Sequence, residues 1–155
     1  MLHSAVRVNM DKKSLELAKT TLDGKFQINA DLIDGVIEEL NLPSDAKILD
    51  IGTGHGVMSI ILALNGFKVI TGEPEGDHFA DWKSRVEKVN VEDLISFQPF
   101  KAENLPFDDS KFDAVFLYNS FHHIGEKEEA IKECMRVTVS TGIICIIEFN
   151  ENGII

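Results

Sequence analysis

Positive charge is scarce in this sequence. Lysine and arginine together number 15, against 26 aspartates and glutamates, and the formal net charge is −11. A surface of that sign gains nothing from a phosphate backbone, so nucleic acid is not an expected partner. Phosphate-rich cofactors are disfavoured for the same reason, and a cationic or neutral small molecule fits better. Cysteine is nearly absent, with only Cys134 and Cys145. No CxxC pair or Cys/His cluster has zinc-site spacing, and no metal is expected. Set on a helix and a strand among apolar neighbours, the two cysteines read as buried thiols in a reducing compartment. No apolar run is long enough to cross a bilayer. The first ten residues lack the apolar core of a signal peptide. These absences lead to the expectation of a soluble, cytoplasmic protein with no membrane partner. Internal repeats, low-complexity segments and interdomain linkers are missing as well.

What is present is the material of one ordinary domain. The chain has 155 residues, 44% hydrophobic and 26% charged, enough to bury a core without disulfides or metals. Helical and strand-like segments alternate, the pattern of a parallel sheet covered by helices. Residues 1–29 form an N-terminal segment whose stretch 12–22 reads as a first helix or a lid. Residues 30–155 read as the main domain. From Ala30 to Leu40, Leu32, Ile33, Val36, Ile37 and Leu40 fall on one helical face. Lys47–Ile51 reads as a short buried strand, and a helix then presents Val57, Ile60, Ile61 and Leu64 before an Asn65-Gly66 cap. Further strands are predicted over Phe67–Thr71, Leu94–Phe97, Phe112–Tyr118 and Gly142–Phe149. A third main-domain helix carries Phe79, Trp82, Val86 and Val89. A fourth runs from Glu126 to Val137 with Ile131, Cys134 and Met135 inward.

Chemistry concentrates after the first strand. Gly52-Thr53-Gly54-His55-Gly56 lies directly between a strand and a helix. Glycine is needed where backbone turns with positive φ or a ligand must touch bare backbone. The helix beyond aims its first amides at that ligand, and the C-terminal ends of parallel strands are where such ligands sit. The dinucleotide fingerprint is G-x-G-x-x-G. Here the third glycine arrives one residue early and Val57 takes the last position, which argues against a nicotinamide-dependent oxidoreductase. Glu73 ends the next strand, where a carboxylate can accept hydrogen bonds from both hydroxyls of a ribose. Loop and acid together specify a nucleoside-like ligand without a pyrophosphate.

At these residues the sequence resembles a known family. Ile48-Leu49-Asp50-Ile51-Gly52-Thr53-Gly54-His55-Gly56 is similar to the first motif of class I S-adenosylmethionine-dependent methyltransferases, and Glu73 matches their ribose-binding acid. Glu103-Asn104-Leu105-Pro106-Phe107, then Phe112-Asp113-Ala114-Val115, resembles their approach to the fourth strand. Asn119-Ser120-Phe121-His122-His123 resembles the segment after it, closest to the ubiquinone-biosynthesis-type group called methyltransferase type 11. The resemblance covers roughly residues 30–150. It implies a Rossmann-like, doubly wound parallel sheet of order 3-2-1-4-5, S-adenosylmethionine as cofactor, and methyl transfer to a small-molecule acceptor.

The resemblance also implies roles. Asp50 and the backbone from Gly52 through Thr53 and Gly54 to Gly56 hold the methionine end. Glu73 holds the ribose, Pro74 lines the adenine side, and Ala102 and Glu103 reach the adenine edge. Asn119 and Ser120 line the floor. His55 shapes the loop or lines the cofactor. Tyr118, His122 and His123 are the candidate general bases, required only if the acceptor must lose a proton. Two departures stand out. The family's acid before the alanine is here Lys101, which cannot accept a hydrogen bond. The family also continues past strand five with a helix and an antiparallel strand pair, for which Asn150 to Ile155 leaves little room. An isoleucine-rich strand five would then be a bare edge, so the expectation is a fragment of a longer protein or a homodimer through that edge. A cofactor-binding module without catalysis is the other reading these departures allow. Phe26, Tyr118 and Phe121 hint at an apolar acceptor.

Overall fold

The computed structural model describes residues 12–76, 81–150 and 153–154. The N-terminal ten residues, His3, His78 and Phe79 lie outside the described residues. The elements are α1 (Lys12–Thr21), α2 (Gly24–Leu40), β1 (Lys47–Ile51), α3 (Val57–Leu64), β2 (Lys68–Gly72), α4 (Trp82–Lys88), β3 (Ile95–Phe97), β4 (Phe112–Tyr118), α5 (Lys127–Val137), β5 (Thr138–Ile147), β6 (Phe149–Asn150) and β7 (Gly153–Ile154). Five strands form one parallel sheet in the order β3-β2-β1-β4-β5, the order the resemblance implies.

Alternating side chains divide the core between the two faces of this sheet. Ile48, Val69, Ala114 and Phe116 face one apolar cluster with α1, α2 and α3. Leu49, Ile51, Val115 and Leu117 face the other, where α5 contributes Ala130, Cys134 and Val137. The central strands are buried on both sides and so read as unbroken apolar runs.

Several boundaries differ from the sequence reading. Helix α2 begins at Gly24, and its inward stripe is Phe26, Ala30, Ile33 and Ile37, spaced as one helical face. Leu32, 44% exposed, lies off that stripe. In α5 the stripe is Ala130, Cys134 and Val137, Ile131 is half-buried, and Met135 is 65% exposed. In each helix one apolar residue next to the stripe, Leu32 and Met135, was wrongly expected to face inward. Strand β5 starts at Thr138, directly from the last residue of α5, with an irregular register opposite Phe112–Ala114. Phe149 belongs instead to a small antiparallel pair, β6 with β7, separate from the main sheet. Cys145 is half-buried, whereas Cys134 is fully buried with its thiol pushed up to about 11, chiefly by burial. Among the described residues no helix is long and apolar enough to cross a membrane.

Candidate functional site

The site is built at the C-terminal ends of β1, β2 and β4. As β1 ends, Gly52 turns with φ +91° and donates its N–H to the Gly72 carbonyl at 2.9 Å. A Cβ at Gly52 would stand 2.5 Å from the Ser120 Cβ. The loop and the segment after β4 therefore approach to a distance that only glycine permits. Gly54 also has positive φ, and a Cβ there would meet nothing within 4 Å. Its N–H donates to Glu73 Oε1 at 2.5 Å. The acid after β2 thus holds the loop as well as facing the cavities beside it.

Asp50 supports this loop from beneath. It is completely buried. Its Oδ2 accepts from Ser59 Oγ at 2.5 Å and from Thr71 Oγ1 at 3.1 Å. Thr71 has one hydroxyl hydrogen, given to Asp50, so at 2.8 Å Thr53 Oγ1 is the donor to Thr71 Oγ1. A chain of hydrogen bonds Thr53 to Thr71 to Asp50 pins the loop onto the sheet. Asp50 Oδ1 has no hydrogen-bond partner. Burial pushes the carboxyl up to about 7, the bonds from Ser59 and Thr71 oppose this, and the charge of Glu73 adds to it.

Two cavities adjoin across the loop. The first, about 420 Å³, is lined by Gly72, Glu73, Pro74, Phe100, Ala102, Glu103 and Ile124 among others. The second, about 480 Å³, is lined by Ile28, Asn29, Thr53, Gly54, His55, Val57, Tyr118, Asn119 and Phe149. Gly52, Glu73, Ser120 and His123 line both. Among the described residues neither lining includes a lysine or arginine. Gly72 is required in the first because a Cβ there would collide with the Gln98 carbonyl oxygen and the Phe100 ring.

Most of the residues singled out in the sequence meet at these cavities. Phe26 and Phe121 line neither cavity, and of the candidate catalytic and cofactor-binding residues three do not line either. Asp50 lies below the loop, Gly56 begins α3, and His122 points elsewhere. His122 Nδ1 is 2.7 Å from Glu148 Oε2, while Glu148 Oε1 accepts the Phe121 and His122 amides. His122 therefore clamps the turn that carries His123, and of the three candidate bases His123 and Tyr118 line the cavities. His55 Nδ1 lies 2.8 Å from Asp81 Oδ2, tying the loop to the start of α4. Lys101 is exposed and lines neither cavity, whereas Glu103 lines the first. Ser120 Oγ donates to the Ile51 carbonyl at 2.8 Å. Tyr118 accepts from Asn29 Nδ2 at 3.1 Å, and burial pushes its hydroxyl pKa up against that bond.

Sequence reasoning missed Ile28, Asn29, Phe100, Ile124 and Phe149. Asn29 carried one signal, a polar residue beside the inward stripe of α2. The others are apolar residues whose place depends on segments far away in sequence.

Comparison with known proteins agrees with this architecture. Residues 49–146 match the family described as methyltransferase domain. The chain is 30% identical over 122 residues to the 27-O-demethylrifamycin SV methyltransferase of Amycolatopsis mediterranei, covering 76% of this chain and 44% of that protein. It is 31% identical over 123 residues to a ubiquinone/menaquinone biosynthesis C-methyltransferase of Agrobacterium fabrum, covering 76% and 48%. The solved S-adenosylmethionine-dependent methyltransferase of Aquifex aeolicus superposes with a TM-score of 0.69 at 21% identity, covering 88% of this chain and 73% of that one. The chain spans about half the length of the curated relatives it matches. With its glycine loop, its acid after β2 and its 3-2-1-4-5 sheet, this chain belongs to the class I S-adenosylmethionine-dependent methyltransferases, in the methyltransferase type 11 subgroup.

Proposed function

We propose that the chain is a cytoplasmic enzyme that binds S-adenosylmethionine across the two adjoining cavities and methylates a small-molecule acceptor. The observation that carries this reading is the set of residues common to both cavities, with Glu73 and Gly52 at the junction. The residues suit the cofactor. Bare backbone at Gly54 leaves room for a ligand, and linings without lysine or arginine among the described residues suit a sulfonium better than a pyrophosphate.

In this reading Glu73 accepts from the ribose hydroxyls. Pro74 and Ala102 enclose the adenine, and Glu103 supplies the acid that Lys101 cannot. Thr53, Gly54, Asn119 and Ser120 surround the methionine end. When bound, the cofactor supplies a methyl group on a sulfonium, which already has an excellent leaving group. The chain then has to align the acceptor and exclude water. Where the acceptor is a hydroxyl or amine, His123 takes its proton. Asp50 acts from below, keeping Thr53 and the loop in place. Among the described residues no strand pairs with the outer edge of β5, and in the same reading that edge is the pairing surface of a homodimer, which a dimer mass in light scattering would support.

Calorimetric titration with S-adenosylmethionine and its demethylated product tests the assignment. Glu73→Ala should weaken both by roughly 1–3 kcal/mol, the value of hydrogen bonds to a charged group. Unchanged affinity would remove Glu73 from the site.

A further inference from the structure

We propose that the cavity at the N-terminal ends of the strands, the end of the sheet opposite the glycine loop, is a second ligand site, shaped for a small apolar compound that carries a phosphate monoester. This site stands independently of the methyltransferase reading above.

The cavity, about 340 Å³, lies where β1, β2, β3 and β4 begin. It arises because the sheet is covered unevenly. Leu15 of α1, Ile33 of α2, Ile60 of α3 and Val86 of α4 all belong to the apolar cluster on one face. The cluster on the other face takes its helical residues from α5, which packs against β5. Residues 98–111, joining β3 to β4, contain no helix. Among the described residues this leaves the second face of β2 and β3 without a helical cover, and there Ile70 is half-buried and Ser96 exposed. Alternation along the strands turns Lys47 and Lys68 toward that same face.

Three lysines line the cavity, Lys47, Lys68 and Lys111, against one acid among the described residues, Asp93. The chain's net charge of −11 is therefore reversed locally at this end. Lys47 and Lys68 are register partners on adjacent parallel strands, which stand roughly 4.8 Å apart. Like charges so placed repel one another. Asp113 does not relieve them, because its Oδ2 accepts the Lys47 backbone N–H at 2.8 Å. Among the described residues none of the three ammonium groups has a carboxylate partner, whereas Lys19, Lys132, Arg85 and Arg136 are all ion-paired. Lys111 Nζ is held over the Phe107 and Phe112 rings, 5.0 Å and 5.6 Å from their centroids. A dianion set among these groups offsets the repulsion, and a phosphate monoester carries nearly two charges at pH 7. Ile70, Leu94 and Phe112 supply an apolar wall for the rest of the ligand. The acidic remainder of the chain is repelled by an anionic bilayer, so the ligand is a free small molecule and not a lipid headgroup.

Calorimetry with 1-naphthyl phosphate tests the site, with inorganic phosphate and 1-naphthol as the two halves of the probe. The whole probe should bind at least about tenfold more tightly than either half. Lys68→Gln should weaken it about tenfold, the worth of one charge-assisted hydrogen bond, and Lys68→Glu should weaken it further. Lys101→Glu reverses an exposed lysine outside this cavity and should leave the affinity unchanged. Binding should also weaken between roughly 0.01 M and 0.15 M salt, as the Debye length contracts from roughly 30 Å to 8 Å. Far-UV circular dichroism checks that each variant is folded. Absence of binding, unchanged affinity in folded Lys68→Gln and Lys68→Glu, or an equal loss in Lys101→Glu overturns the proposal. Displacement of the probe by saturating S-adenosylhomocysteine overturns it as well, since the probe would then lie at the glycine loop. Lys68-dependent retention on vesicles containing phosphatidic acid would overturn the assignment to a free compound. Lysine-dependent binding in a protein that ignores S-adenosylhomocysteine would support this site while the methyltransferase reading fell.

Discussion

Asp50 belongs to a familiar motif and is completely buried beneath the glycine loop. Its carboxyl lies under the glycine loop, joined to it through Thr71 and Thr53. Burial raises its folded pKa from the model-compound value of 3.8 to about 7. The unfolded chain therefore releases this proton at lower pH than the folded one. The sign follows by linkage: the associated stability is fully present below about pH 4 and is lost as the pH rises to about 7, at up to roughly 1.4 kcal/mol per pH unit. Asp50→Asn, which can still accept from Ser59 and Thr71, should remove this slope. Urea denaturation across that pH range would show it, and an unaltered slope would place the titration elsewhere. The spacing 52, 54, 56 was legible because close approach and positive φ admit few residues other than glycine. Asp50 was legible as part of the motif but not as a support, since burial depth is a property of the assembled sheet. Phe149 was not legible as a site residue, and Asn29 carried only the signal of a polar residue beside the inward stripe of α2. Each reaches the cavity through packing of elements far from β1 in sequence.

At the scale of elements, the short central strands announced themselves through continuous apolar runs, and their order followed from the family. The helices were recognised, and Val57, Ile60 and Ile61 of α3 are buried as expected, but one position in each of α2 and α5 was misplaced. Leu32 beside Ile33 and Met135 beside Cys134 offer two readings of the inward face, and the choice depends on where the helix starts. Phe26, completely buried, sets the phase of α2. Ile33→Ala should therefore cost about 2–5 kcal/mol through the cavity it leaves. Leu32→Ala should stay within about 0.5 kcal/mol, as ordinary surface changes do. Chemical denaturation of both variants checks the phase, and equal losses would contradict it. The start of β5 escaped prediction for a related reason. No glycine or proline separates it from α5, and Thr138, whose hydroxyl donates to the Cys134 carbonyl at 2.5 Å, is both the end of a helical turn and the first residue of a strand.

Over the whole molecule the net charge of −11 becomes a statement about ligand choice. The methyl donor carries a sulfonium and has a net positive charge, while its demethylated product is neutral overall. Both would occupy cavities lined by Glu73 and Glu103, without lysine or arginine among the described residues. The acidic surface attracts only the donor over long range. That attraction fades as the Debye length shrinks from roughly 30 Å at 0.01 M salt to roughly 3 Å at 1 M. The ratio of product to donor dissociation constants should therefore fall by roughly twofold to fivefold over this range, the effect expected for one additional charge in a partly solvated site. Product inhibition should deepen with salt to match. Calorimetric titration of both ligands at the two ends of the range measures the ratio directly. If the donor and the product lose affinity in parallel, the discrimination is made by short-range contacts alone, and the acidic field of the chain plays no part in keeping the product out.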